Sequence, residues 1–401
     1  MYKLLQINVT ANWGSTGKIA EDIGKVAMAN GWESYIAYGR DTKPTSTSKL
    51  IQIGNKWDMY YHGLQTRIFD RHGLASIKAT MDFIETVKQI DPDIIHLHNI
   101  HGYYINYEIL FNYLSKAKKP VVWTLHDCWP FTGHCAHFDA VGCNKWKTGC
   151  NGCEYKSAFP TTNLFCNSAN NYRRKKEAFT SVENMIFIPV SDWLSNFISE
   201  SFLNKYPRKT IHNGIDTSVF SPTNIKNDKK DKFSIIGIAS IWSERKGLND
   251  FIELRKLLPN EYEITIIGLN KEQIDSLPNG INGIARTNSL TELINHYSSA
   301  DVYVNPTYED NFPTTNIEAL ACGTPVITYR TGGSIEAIDS NTGYIVEQGD
   351  ISDLVNKIIQ VCNDSNKTKT REFCRERAVR LYNKNDRFKE YIELYNSLIK
   401  K

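Results

Sequence analysis

No apolar run in the 401-residue sequence approaches the roughly 18 to 20 residues needed to cross a bilayer, and stretches such as Ser234 to Trp242 stop far short of it. A spanning helix is therefore not expected. The amino-terminal segment also lacks a secretory h-region, because the apolar residues after Lys3 are interrupted by Gln6 and Asn8. We expect a cytoplasmic protein. Excess charge of one sign is missing too: 47 Lys and Arg stand against 44 Asp and Glu, a formal net charge of +3. With charged residues at an ordinary 23%, this argues against both a disordered chain and a nucleic-acid-coating protein.

What is present is a folded chain long enough for two or three domains, with 41% apolar residues. Lys3 to Val9, Ser34 to Tyr38, Asp93 to His98, Val121 to His126 and Met185 to Val190 read as buried strands. Helical spacing over Lys18 to Met28 and Met81 to Ile90 fills two of the gaps. A second series follows Pro222, with strands at Ser234 to Ala239, Glu263 to Ile267, Ile281 to Ala285, Asp301 to Asn305 and Pro325 to Tyr329, and helices from Leu248, Leu290 and Thr314. Such alternation requires crossovers, hence parallel sheets covered on both faces: an α/β protein with two doubly wound, Rossmann-like domains. The polar stretch from Asp216 to Lys232 reads as the linker. The expected domains are 1–218, with a Cys-rich insertion at 128–168, and 225–384. Ligands of such sheets bind at the carboxyl ends of the strands, which two opposed domains would turn toward one cleft.

Several motifs fall at those ends. Gly14-Ser15-Thr16-Gly17-Lys18 follows the first strand, where helix amides favour an anion, although the spacing fits neither a P-loop nor a dinucleotide fingerprint. A tight turn is the plainer alternative. Asp310-Asn311-Phe312-Pro313-Thr314-Thr315-Asn316-Ile317-Glu318 brackets a helix start with two carboxylates, the polarity pattern of a nucleotide sugar. Asp310 as a mere cap and Glu318 as a surface charge is the plainer view. Ser243-Glu244-Arg245-Lys246-Gly247 offers two cations at another strand end, suited to charge developing on a departing diphosphate. In the first half, Thr124-Leu125-His126-Asp127 ends a strand, and His96, His98 and His101 cluster at the end of the preceding one.

The order of these motifs, with Asn213-Gly214-Ile215-Asp216 and Ala321-Cys322-Gly323-Thr324-Pro325-Val326, resembles the retaining glycosyltransferases of family 4, which have the GT-B fold. In particular it resembles bacterial members that build surface polysaccharides and similarly carry Trp-Pro-Phe-Thr-Gly-x-Cys followed by a cysteine cluster. The resemblance implies a sugar moved from a nucleoside-diphosphate donor, UDP or GDP, to a saccharide or polyprenyl-linked acceptor. It implies that Glu318 binds the donor ribose, Asp310 the sugar hydroxyls and Lys246 the diphosphate, with Arg245 as an additional cation. His126 would line the reaction centre. Thr16, Gly17, Phe312, Pro313, Thr314 and Thr315 would contact the donor, Ile284 and Arg286 the base side, and His98 and Asp127 the acceptor side. The last helix, near Asp386 to Ile399, would pack back on the first domain.

No cofactor is expected for catalysis, since no Asp-x-Asp arrangement is placed to hold a magnesium–diphosphate pair. A nucleotide-sugar epimerase and a non-catalytic assembly partner are the competing classes. Five of the nine cysteines, Cys128, Cys135, Cys143, Cys150 and Cys153, fall within 26 residues. The odd total argues against a disulfide framework, and Cys135, Cys143, Cys150 and Cys153 form a candidate structural zinc set, with Cys128, Cys166, His134 and His137 as alternative ligands. The insertion is expected to be too polar to hold itself without the metal; reduced, partly buried thiols are the alternative. The basic run Arg173-Arg174-Lys175-Lys176 reads as a solvated helix face or a peripheral membrane contact.

Overall fold

The computed structural model describes residues 1–40, 44–223 and 232–400, so residues 224–231 of the expected linker lie outside the described residues. The chain forms two compact units, Met1–His212 with Asn385–Lys401, and Asn213–Lys384. The first boundary falls at 212/213 because Ile215 is held by the end of the second unit: its amide donates to Tyr382 O (2.9 Å) and its carbonyl accepts from Lys384 N (2.8 Å).

The first unit runs β1 (Lys3–Asn8), α1 (Gly14–Ala29), β2 (Glu33–Tyr38), β3 (Lys49–Gln52), α2 (Lys56–Phe69), α3 (Ile77–Ile90), β4 (Ile94–Leu97), α4 (Tyr107–Ala117), β5 (Val121–Leu125), α5 (Ser168–Phe179), β6 (Met185–Pro189) and α6 (Asp192–Glu200). The second runs β7 (Phe233–Ile238), α7 (Leu248–Leu257), β8 (Tyr262–Ile267), α8 (Lys271–Asp275), β9 (Ile281–Ile284), α9 (Leu290–Ser299), β10 (Val302–Asn305), α10 (Thr314–Ala321), β11 (Val326–Tyr329), β12 (Gly343–Val346), α11 (Ile351–Cys362) and α12 (Lys367–Tyr382). Helix α13 (Lys384–Ile399) then lays Phe388, Tyr391, Ile392 and Tyr395 into the first unit's core, against Leu4, Ile94, Val122 and Ile188 of the strands.

Both sheets are six-stranded and parallel, ordered β3-β2-β1-β4-β5-β6 and β12-β11-β10-β7-β8-β9. In each, the winding direction reverses once, between β1 and β4 and between β7 and β10. The loops leaving those two strands diverge to opposite faces, which opens a crevice at the carboxyl edge of the sheet. The edge strands β3 and β12 were not expected; they are only partly buried and short, so no continuous apolar run marks them.

The basic run on α5 is not a solvated face. Lys175 is 2% exposed, with Nζ donating to Trp129 O (2.7 Å) and Thr132 O (3.0 Å), and Arg174 pairs with Glu108. Only Arg173 and Lys176 of the four are exposed, because α5 turns its other face onto the segment after β5.

Candidate functional site

In the second unit, the loops after β7 and β10 flank the reversal point, and they carry the two motifs. After β7 a single tight turn, Glu244–Lys246, ends at Gly247 with φ of +74°. A Cβ there would stand 2.1 Å from Pro306 O, so glycine lets the turn lie directly against the end of β10. This contact brings the motifs together. Lys246 Nζ forms an ion pair with Asp310 Oδ2, each side chain 20% exposed. Arg245 instead ties the two loops: its guanidinium donates to Glu309 O (2.6 Å) and its own carbonyl accepts from Tyr308 N (2.8 Å). Of the two neighbouring acids, Glu309 is buried and Asp310 is the one beside the lysine.

Helix α10 begins at Thr314, with Pro313 at the N-cap position rather than in the first turn. Proline cannot cap with a side chain, no acidic residue occupies the first turn, and Thr314 and Thr315 are half-buried. The first amides of α10 therefore remain donors for an anion. Glu318, one turn further on, accepts from Tyr297 Oη (3.0 Å). The buried Tyr303 hydroxyl is pushed up by burial, and it hydrogen-bonds Thr315 and feels both Glu318 and Asp310. One phenol thus lies within electrostatic reach of both carboxylates.

Phe312 is 4% exposed, packs on Tyr382 (ring centroids 5.7 Å apart) and offers its carbonyl to Asn213 Nδ2 (3.3 Å); its ring faces the core rather than a ligand. Ile284 ends the outermost strand β9, its carbonyl accepting from Gly268 N (2.8 Å), and Arg286 is exposed just beyond. Three strand spacings, about 14 Å, separate that edge from β10.

Two supports of this site carried no recognisable sequence signal. Asn316 donates to Ser334 Oγ (2.9 Å) and accepts from Asn305 Nδ2 (2.8 Å), locking α10 to the end of β10. Asp250 accepts from Tyr308 Oη (2.9 Å) and Tyr329 Oη (2.7 Å), bracing the loop before Asp310; burial raises its pKa, against the pull of the two phenols.

In the first unit the loops after β1, β4 and β5 hold the remaining residues. Helix α1 opens at Gly14 itself, without a side-chain cap or an acid in its first turn. Thr16 Oγ1 accepts from Asn8 Nδ2 (3.3 Å), and Gly17 lies so close to Thr10 that a Cβ would meet its Oγ1 at 2.7 Å.

The histidines separate by role. His96 points into the core: Tyr395 Oη meets its Nδ1 at 2.6 Å and Thr124 Oγ1 its Nε2 at 2.8 Å. It is a packing residue, not part of a ligand cluster. His98 links Gln6 (3.1 Å) to His126 Nε2 (3.2 Å), and His126 reaches the edge of the sheet, mostly buried. Burial lowers His126 to about 4, with Asp127 opposing. Asp127 itself is engaged by His101 Nε2 (2.7 Å) and Trp129 N (2.9 Å). Burial pushes its carboxyl up, but His101 and the Trp129 amide hold it down to about 2. Asp91-Pro92-Asp93 does have Asp-x-Asp spacing, but it precedes β4 at the amino edge, with Asp93 accepting from Lys3 N (2.8 Å) and Asp91 paired with Lys119.

The insertion after β5 has apolar contacts of its own: Phe131, Phe138 and Trp146 pack as a buried aromatic cluster with centroids 5.3 to 6.3 Å apart. Cys135, Cys143, Cys150, Cys153 and His134 line one cavity of about 380 Å³. The Cys135 thiol donates to Cys153 and holds its pKa below the ordinary thiol value. Cys150 Sγ accepts from Gly133 N (3.1 Å). His134 Nδ1 meets Asp70 Oδ1 at 2.7 Å, while its buried Nε2 has no partner among the described residues. Among the described residues no three of these ligand atoms lie within 4.8 Å of one another, so a tetrahedral site is not preformed.

Residues 221–380 match the family model described as Glycosyl transferases group 1. The second unit is therefore a group 1 glycosyl transferase domain. Over 98% of this chain and its own full length, the putative colanic acid biosynthesis glycosyl transferase WcaC of Escherichia coli (strain K12) is 23% identical. Among solved structures, sucrose-phosphate synthase from Thermosynechococcus elongatus superposes with a TM-score of 0.72 at 16% identity, covering 99% of each chain. Anabaena HepE in complex with UDP superposes with a TM-score of 0.69 at 15% identity, covering 99% of this chain and 100% of its own. Two Rossmann-like units in this order are the fold of GT-B glycosyltransferases.

Proposed function

We propose that the protein is a retaining glycosyltransferase of surface polysaccharide assembly, moving a sugar from a UDP- or GDP-sugar to a saccharide or lipid-linked saccharide on the cytoplasmic side. The observation that carries this reading is the Lys246–Asp310 pair beside the uncapped start of α10, at the reversal point of the second sheet. Cleavage of the anomeric C–O bond leaves charge on the diphosphate and oxocarbenium character on the sugar. Lys246 and the amides of Thr314 and Thr315 stabilise the former without a metal ion, and Asp310 holds sugar hydroxyls. Glu318, steadied by Tyr297, binds the ribose. Ile284 and Arg286 lie on the base side. His126 stands at the reaction centre as a neutral imidazole, its charge disfavoured by burial. Retention gives an α-linked product from an α-linked donor. The colanic acid biosynthesis in WcaC's name favours a polysaccharide acceptor.

The test is a thermal-shift and turnover screen over UDP-, GDP-, ADP- and dTDP-sugars, repeated on Lys246→Ala and Glu318→Ala. Loss of roughly 10²- to 10³-fold in transfer with an unchanged fold is expected. Wild-type rates in both variants would overturn the assignment, and an altered free nucleotide sugar without acceptor would identify an epimerase. Donor binding with no turnover would point to a non-catalytic partner.

We also propose that Cys135, Cys143, Cys150 and Cys153 close on one structural zinc, with His134 as the alternative fourth ligand. The donor set suits it: soft thiolates in one cavity, an imidazole oriented by Asp70, and buried Lys175 to offset a thiolate cluster's negative charge. Purified protein should hold about one zinc, lost in Cys150→Ser with Cys153→Ser; metal-free protein of unchanged stability would reject the site.

A further inference from the structure

Helix α2 is amphipathic in the wrong direction for a soluble surface helix. At about 100° per residue, Trp57, Tyr60, Tyr61 and Leu64 fall within one sector of about 100°. All four point outward, with exposures of 81, 65, 59 and 53%. The opposite, buried side is polar: His62 and Thr66 are fully covered, His62 bonding Ser76 Oγ (2.8 Å) and Gly73 N (2.9 Å), and Thr66 Oγ1 bonding His62 O (3.0 Å). The helix is thus anchored by hydrogen bonds through its polar face and presents its aromatic face to solvent. Scattered exposed hydrophobics need no explanation, but a continuous stripe does.

Further exposed apolar side chains lie at the helix end, where Phe69 falls about 80° outside the stripe's sector. Phe165 N donates to Ile68 O (3.2 Å), and Phe165 stacks on Phe69 with ring centroids 5.9 Å apart and planes at 7°. Leu164 beside it is 65% exposed. Charge borders the stripe on one side, where Lys56 and Arg67 lie in the adjoining sector, both exposed. The single acid of α2, Asp58, is engaged in the capping box with Asn55.

We propose that the α2 face with Leu164 and Phe165 docks the protein on an anionic lipid surface. Trp and Tyr are the residues that settle at the headgroup level, and Lys56 and Arg67 complement anionic headgroups. The inference rests on the shape and chemistry of α2 and stands apart from the sugar-transfer reading. It also replaces the Arg173–Lys176 run as the membrane contact, since Arg174 and Lys175 are engaged internally.

The experiment is co-sedimentation of the full chain with phosphatidylglycerol-containing vesicles and with phosphatidylcholine vesicles, across a salt series. Wild type should bind the anionic vesicles more tightly than the neutral ones. Trp57→Ala with Leu64→Ala should weaken binding at least about tenfold, through lost apolar insertion. Lys56→Glu with Arg67→Glu should abolish the preference for anionic lipid and most of the salt dependence. These side chains are exposed, and an unchanged thermal midpoint checks that each variant folds. Absence of wild-type binding, or equal binding by both variants, would overturn the proposal. So would sedimentation equilibrium showing a dimer that Trp57→Ala with Leu64→Ala dissolves, which would assign the stripe to a second copy of the chain.

Discussion

Replacing Lys175 by methionine keeps the length of the side chain and removes its proton site. In the fold this amine is 2% exposed, 3.6 Å from the centroid of the Trp129 ring, with two backbone carbonyls as hydrogen-bond partners. Burial lowers its pKa to about 7, against the pull of Cys150, Cys135, Asp70 and Asp127. An unfolded lysine titrates at about 10.4, so the linked free energy is about 5 kcal/mol. Between those two values the unfolded chain binds a proton that the folded chain does not. Stability of the wild type therefore rises with pH from about 7 toward 10, and the full penalty of the buried charge is present below 7. Methionine has no such term, but it leaves the Trp129 and Thr132 carbonyls without the amine, a cost of about 1–3 kcal/mol. The metal-free variant should match or exceed the wild type near neutral pH and fall behind it in alkali. The wild-type advantage should grow by about 3 kcal/mol between pH 7 and 9.5. Urea melts of both proteins across that range measure it. Parallel pH curves would refute the buried-amine account.

Three further perturbations bear on the same framework. Gly247→Ala forces a Cβ to within 2.1 Å of Pro306 O at a φ of +74°, and should cost more than about 2 kcal/mol in urea melts while weakening donor-induced thermal shifts; wild-type values for both would contradict the close contact between the loops. Tyr395→Phe takes the 2.6 Å partner from buried His96 and should lower stability by about 1–3 kcal/mol without changing donor affinity. Because the folded pKa of His126 is depressed to about 4, the unfolded state binds the extra proton between about 6.5 and 4. Stability should therefore fall as pH drops through that window, and the His126→Gln variant should show a flatter acid limb in pH-dependent melts.

Much of the architecture was legible locally. Ile94–Leu97, Val121–Leu125 and Val302–Asn305 are buried along their whole length, and central parallel strands covered on both faces have to be continuous apolar runs. The starts of α7, α9 and α10 at Leu248, Leu290 and Thr314 follow from turn residues that precede apolar periodicity. Edge strands β3 and β12 escaped notice because one-sided burial leaves no such run. Helix α2 was hidden for a different reason: periodicity reports which residues share a face, not which way that face points. Local pattern likewise assembled Arg245 beside Lys246, and His96 beside His98 and His101. Only the tertiary structure turned Arg245 to a backbone carbonyl and Lys246 to Asp310. It also sent His96 to a tyrosine 299 residues away and left His126 at the edge of the sheet. The amino-acid order determined which segments are buried and where the strand ends carry charge, since burial and turn chemistry act over a few residues. Which charged groups meet was decided by the sheet order, which brings the ends of β7 and β10 together across more than sixty residues of chain and is set by packing of the whole unit.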